Sequence, residues 1–279
     1  MKRNRLSKKN IIKKKIEERH SRLITINKRN KKDKINSVKN NSINNRNLRS
    51  GLRISELKNI TNTSLTNKKI NVIISAYQAT DFIEECLDSI NDQTYKCNKI
   101  LLGIDGCTET LNKIIDIGNK YSNLEVYYGN NNNGPYQMFN ALIDLVPDDE
   151  FFQIFGADDV MNPNLLEEVS KYETPVVSRN DGVLFIKKEI FKKIGGFREW
   201  RCAADSDMIF RLYKELGYKV DRLPQLFYRR EHDRQLTKMF ETNHVSKLRK
   251  EYIKIFQENK CSSNPEIYIK PIKSKIIRI

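Results

Sequence analysis

The sequence predicts a three-layer α/β domain with a mainly parallel central sheet, beginning near residue 70. Short apolar runs that suit buried strands alternate with segments of helical period. Those runs end in turns carrying Asp, Gly and Asn, and the surplus positive charge lies entirely ahead of the first run.

Charge divides the chain. Its 279 residues carry a formal net charge of +16, yet residues 1–69 hold 22 Lys or Arg against four acids. The other 210 residues are near neutral, with 29 bases and 31 acids. Residues 1–69 are rich in Lys, Arg, Asn and Ser and too poor in apolar residues to offset the entropy of ordering, which predicts a largely disordered basic tail. A short helix over 10–22 is compatible with Ile11, Ile12 and Ile16 on one side of a basic stretch. The pattern favours a solvated extension over an arm for an anionic partner such as nucleic acid or a membrane surface.

The five cysteines, Cys86, Cys97, Cys107, Cys202 and Cys261, are odd in number and form no C-x-x-C pair. No secretory signal precedes them, so the expectation is reduced thiols and a cytoplasmic location. No apolar run approaches the roughly 18 residues that suggest a membrane span.

Along the domain, residues 70–76 form a run apolar enough to be buried on both faces. From 81 to 91, Phe82, Ile83, Cys86, Leu87 and Ile90 recur at helical spacing, with Asp81 and Glu84 spaced as a capping box. A second strand over 99–104 ends in Asp105-Gly106, a helix fits 108–118, and a third strand fits 124–128. Asn133-Gly134 makes a turn before a helix lined by Met138, Phe139, Leu142 and Ile143. The fourth strand, 151–155, runs into Asp158-Asp159. Beyond Pro163 the pattern predicts a strand over 182–186 and helices over 188–194 and 204–216. Domain limits of 70–255 follow, with 256–279 a basic C-terminal tail of no assigned structure.

Ligands of such domains bind at the carboxyl ends of the strands, where four turns carry suitable chemistry. Val72-Ile73-Ile74-Ser75-Ala76-Tyr77-Gln78 closes the first strand. Ile104-Asp105-Gly106-Cys107-Thr108-Glu109 follows the second, and Gly156-Ala157-Asp158-Asp159 follows the fourth. Gly195-Gly196-Phe197 then precedes Asp205-Ser206-Asp207-Met208-Ile209-Phe210-Arg211.

In that order the four segments resemble the inverting family 2 glycosyltransferases of the GT-A (nucleotide-diphospho-sugar transferase) fold, over roughly residues 70–240. The first is similar to V-I-I-P-x-Y-N, with Ser75 and Gln78 departing from it. Asp105 falls on the second aspartate of D-D-G-S-x-D, and Asp158 on the last of D-x-D, whose first position is Gly156. Asp205 falls on the aspartate of E-D-x-D-L-x-x-R, with Ala204 replacing the glutamate. Asn133-Gly134 and Asn140 are similar to an N-x-G…N segment, and Tyr228-Arg229-Arg230-Glu231-His232 with Thr237 to a Y-R-x-H…T ending.

The resemblance implies an enzyme using a nucleotide-sugar donor, UDP above all, with Mn²⁺ or Mg²⁺. It implies a nucleotide site of Ala76, Tyr77, Gln78, Asp105, Asn133, Asn140 and Asp158, a metal on Asp158 and His232, and Asp205 as general base. The acceptor, whether saccharide, protein or lipid, is left open. So are plainer roles: a turn for Asp105, a helix cap for Asp205, a surface position for His232, and ion pairing for Arg211. One rival is a nucleic-acid-binding or interaction protein that uses the basic tail beside a degenerate scaffold. A nucleotidyltransferase is less apt, because no glycine follows the first strand between Ser75 and Thr80.

Overall fold

The computed structural model describes residues 68–178, 184–214, 217–258 and 273–279. The chain divides into two units, Met1–Ser64 and Leu65–Ile279, and every described residue belongs to the second. The expected helix over 10–22 and nearly all of the basic tail lie outside the described residues, as does Cys261.

The core strands are β1 (Ile70–Ala76), β2 (Lys99–Asp105), β3 (Leu124–Gly129) and β4 (Phe151–Gly156). β2 and β4 flank β1, β3 flanks β2, and all four are parallel. Between them run α1 (Ile83–Asn91), α2 (Thr108–Ile117) and α3 (Pro135–Asp144). The chain continues through β5 (Val160–Met161), α4 (Leu165–Ser170), β6 (Val176–Ser178), β7 (Leu184–Lys187) and α5 (Lys188–Lys193). It ends with α6 (Ala204–Lys214), β8 (Asp221–Leu223), β9 (Phe227–Tyr228), α7 (Lys247–Glu258) and β10 (Ile276–Arg278).

Alternation along β1 makes the layers. Val72, Ile74 and Ala76 pack with Ile83, Leu87 and Ile90 of α1 and Ile114 of α2. Ile73 points the other way, to Met138 and Leu142 of α3 and Met208 and Leu212 of α6. Burying one such side chain contributes about 1.5–3 kcal/mol, so both faces of the sheet are strongly specified. The strand order is β10-β3-β2-β1-β4-β7-β6-β8. The winding reverses direction between β1 and β4, and the crevice beyond their carboxyl ends is the ligand position of an open α/β sheet.

Four expectations change. The capping box of α1 does not form: Phe82 is the N-cap without a side-chain cap, and Asp81 instead accepts from Arg234 Nη2 at 2.7 Å. The strand expected over 182–186 is β7, Leu184–Lys187, with residues 182 and 183 outside the described set. The C-terminal residues, left without structure in the sequence reading, supply the end of α7 and the edge strand β10, antiparallel to β3. Lys68 also joins the domain, because its buried ammonium donates to Ser170 O and Tyr172 O, each at 2.7 Å.

Candidate active site

A cleft of about 510 Å³ opens beyond the carboxyl ends of β1 and β4, within the usual range for small-molecule sites. Ser75, Tyr77 and Gln78 form its β1 wall. Gln78 takes a φ of 51°, the left-handed conformation, and turns the chain out of the strand.

The short antiparallel pairing of β5 with β9 builds the opposite wall. It matches Val160 with Tyr228 and Met161 with Phe227, laying the segment after Tyr228 against Asp158-Asp159. His232 Nε2 thereby comes within 2.9 Å of Asp158 Oδ2, across 74 residues of sequence. The imidazole is held by stacking on Phe82, with ring centroids 4.6 Å apart. Arg230 donates its backbone N–H to Asp159 Oδ1 and its Nε to Asp158 O, each at 3.1 Å. Its guanidinium lies over Phe82 and pairs with Glu85, so Arg229, not Arg230, lines the cleft.

Gly156 explains the altered D-x-D. A Cβ there would stand 2.9 Å from Asp159 Oδ2 and 3.0 Å from Asp158 Oδ1, so the two carboxylates lean into the space a side chain would need. One carboxylate and one imidazole, with Asp159 beside them, suit a Mn²⁺- or Mg²⁺-type ion that completes its shell with phosphate oxygens and water. Among the described residues, no group of three or more His, Cys, Asp or Glu is arranged to hold a metal ion.

The third wall comes from α6. Asp205 lines the cleft, and its Oδ1 accepts from Tyr136 Oη at 3.1 Å and Ser206 N at 2.9 Å. Asp207 is 1% exposed and bound by Arg198 and Arg211. Arg211 also donates to Ile194 O and Gly196 O, and so clamps the Gly195-Gly196-Phe197 turn. Ion pairing is therefore its role here.

Several expected nucleotide contacts sit differently. Asp105 is on the cleft, but both its oxygens are engaged, Oδ1 by Asn133 N at 3.1 Å and Oδ2 by Gly134 N at 2.8 Å. These bonds hold Gly134 at φ 92° as the N-cap of α3. Burial raises the Asp105 carboxyl above its usual range, opposed by the two amides. Ala76 is buried in the core below the cleft, because it shares the inward face of β1 with Val72 and Ile74. Asn133 turns its amide toward Ser274 Oγ at 3.4 Å, and Asn132 takes the place on the cleft. Asn140 is buried off the cleft: its Nδ2 donates to Phe197 O and its Oδ1 accepts from Phe197 N, both at 2.9 Å. These three belong to the support of the site.

Sequence reasoning missed Phe82, Tyr136 and Arg201, all on the cleft. Tyr136 had a signal in its position just after the Asn133-Gly134 turn. Phe82 and Arg201 had none, since only the fold brings them to the pocket. The four described cysteines are free and buried, so no disulfide joins them.

Alternating parallel strands with a cleft at the winding reversal define an α/β domain of the GT-A fold class. Residues 71–176 match the sequence model of Glycosyl transferase family 2. The glycosyltransferase GlyG of Streptococcus pneumoniae is 29% identical over 116 residues, covering 40% of this chain and 38% of that protein. Among solved structures, S. aureus TarS 1-349 in complex with UDP-GlcNAc superimposes with a TM-score of 0.50 at 19% identity, covering 59% of each chain. A mannosyltransferase of Pyrobaculum calidifontis, in complex with GDP-Man and Mn²⁺, gives 0.54 at 14% identity, covering 73% of each. Both are likenesses of fold. No described helix is long and apolar enough to cross a membrane.

Proposed function

We propose that the protein transfers a sugar from a nucleoside diphosphate, UDP in preference, to an acceptor hydroxyl, with inversion and with a divalent ion. The observation that carries this is that the Asp158–His232 pair and Asp205 line one cleft. Glycosyltransferases of related fold bind UDP-GlcNAc and, with Mn²⁺, GDP-Man, which supports a nucleotide-sugar donor here.

In this reading Asp158 and His232 would hold the ion, which would supply stabilisation of the negative charge that develops on the departing diphosphate. Tyr77, Gln78 and Asn132 bound the donor's place, and Asp105 holds the turn beside it. Asp205 takes the acceptor hydroxyl's proton as that oxygen bonds to the anomeric carbon and the diphosphate leaves with the bonding electrons. Attack opposite the leaving group inverts the centre.

The test is a panel of UDP- and GDP-sugars with Mn²⁺, Mg²⁺ or chelator, reading nucleotide release and thermal stabilisation. Metal-dependent release from a UDP-sugar is expected. A response to GDP-sugars alone would replace the UDP assignment, and no response to any donor would overturn the reading.

A further inference from the structure

Asp205 is not held symmetrically. Both of its hydrogen bonds, from Tyr136 Oη and from Ser206 N, fall on Oδ1, and Oδ2 has no hydrogen-bond partner among the described residues. An aspartate side chain otherwise rotates broadly about its last torsion, which would exchange the two oxygens.

The Tyr136 ring is itself fixed. It sits 5.2 Å from the Phe197 ring and 6.3 Å from that of Phe139. Phe197 is held in turn by the paired backbone bonds to Asn140, and the turn before it by Arg211. A continuous chain of contacts thus runs from the core to one oxygen of one carboxylate.

We propose that Tyr136 is a positioning residue, whose phenol pins Oδ1 of Asp205 so that Oδ2 is the oxygen that receives the acceptor's proton. This rests on the reading of Asp205 as the base. A hydrogen bond donated to an ionised carboxylate favours that form. Burial, and then the Asp205 charge, push the phenol well above its ordinary range, so Tyr136 remains a donor at working pH. The other groups that face this pair are Cys202, just ahead of α6, and Arg249 of α7. Arg201 and Asp105 line the same cleft, while Asp207 is turned inward to Arg198 and Arg211.

The test is a carboxyl ¹³C NMR titration of the full chain labelled at aspartate, with the Asp205 signal identified by its loss in Asp205→Asn. Tyr136→Phe keeps the ring against Phe197 and removes only the hydroxyl. Asp205 should then titrate about one pH unit higher, as expected for losing one hydrogen bond to a charged group. A thermal melt checks that the variant is folded. Should it not be, ring fluorination of Tyr136, which makes the phenol a stronger donor, should move the Asp205 titration the opposite way. An Asp205 titration that stays put in the folded variant overturns the proposal. Hydrolysis of UDP-GlcNAc and GDP-Man by Asp205→Asn separates the two ideas. A wild-type rate strikes the base reading and the proposal with it, whereas lost hydrolysis beside an unmoved titration strikes the proposal alone.

Discussion

His232 Nε2 lies 2.9 Å from Asp158 Oδ2, and the pairing of β5 with β9 is what brings them together. In the proposed function this pair would hold the ion, and each member is expected to matter to it. Asp158→Ala should abolish the added thermal stabilisation that Mn²⁺ gives in the presence of UDP. His232→Ala should weaken it about tenfold or more in apparent metal affinity, as ligand-shell losses do. Isothermal titration of Mn²⁺ into the UDP-saturated variants decides this, and unchanged affinity in Asp158→Ala would move the site elsewhere.

Restoring an aspartate at 156 should not restore a better metal site. The new Cβ would stand 2.9–3.0 Å from the carboxylates of Asp159 and Asp158, and its charge would repel theirs. Gly156→Asp is expected to displace Asp158 from His232, to lower Tm, and to leave Mn²⁺ affinity equal or weaker. A gain in affinity by the same titration would show that the loop yields easily.

Asp205→Asn should leave UDP affinity within a few-fold and cut transfer or donor hydrolysis by ~10² or more, since proton transfer and not donor binding is lost. The measurement is steady-state kinetics beside UDP binding. Collapse of UDP binding would place the residue in the donor pocket instead.

Arg211 is 1% exposed and joins Asp207 to the carbonyls of Ile194 and Gly196. Arg211→Ala should destabilise the fold by about 3–5 kcal/mol, the usual loss when one partner of a buried pair is removed. Chemical denaturation measures it, and a change below about 1 kcal/mol would mean that the turn is held by other contacts.

Deletion of residues 1–64 should preserve the fold and the UDP response. Deletion of 1–69 removes Lys68 as well, with its bonds to Ser170, Tyr172 and Glu173, and should lower stability by about 1–3 kcal/mol. Equal melting temperatures for the two truncations would show Lys68 to be dispensable.

The strand-helix order, both core faces and the four turns at the strand ends were legible in the sequence, because apolar period and turn chemistry are local properties. Val72, Ile73 and Ile74 announce a strand buried on both faces wherever they stand, and Asp-Gly or Gly-Gly announces a turn. The short strands β5, β9 and β10 were not legible, since two or three residues carry no period and are strands only because a distant partner pairs with them. Roles divided in the same way. Asp158, His232 and Asp205 line the cleft, but Asn140 and Asp105 spend their polar groups on Phe197 and on the 133–134 turn. A polar side chain near a strand end has the same chemistry whether it meets a ligand or a backbone amide. Only the tertiary structure decides which, because it alone determines which partner arrives within hydrogen-bond distance.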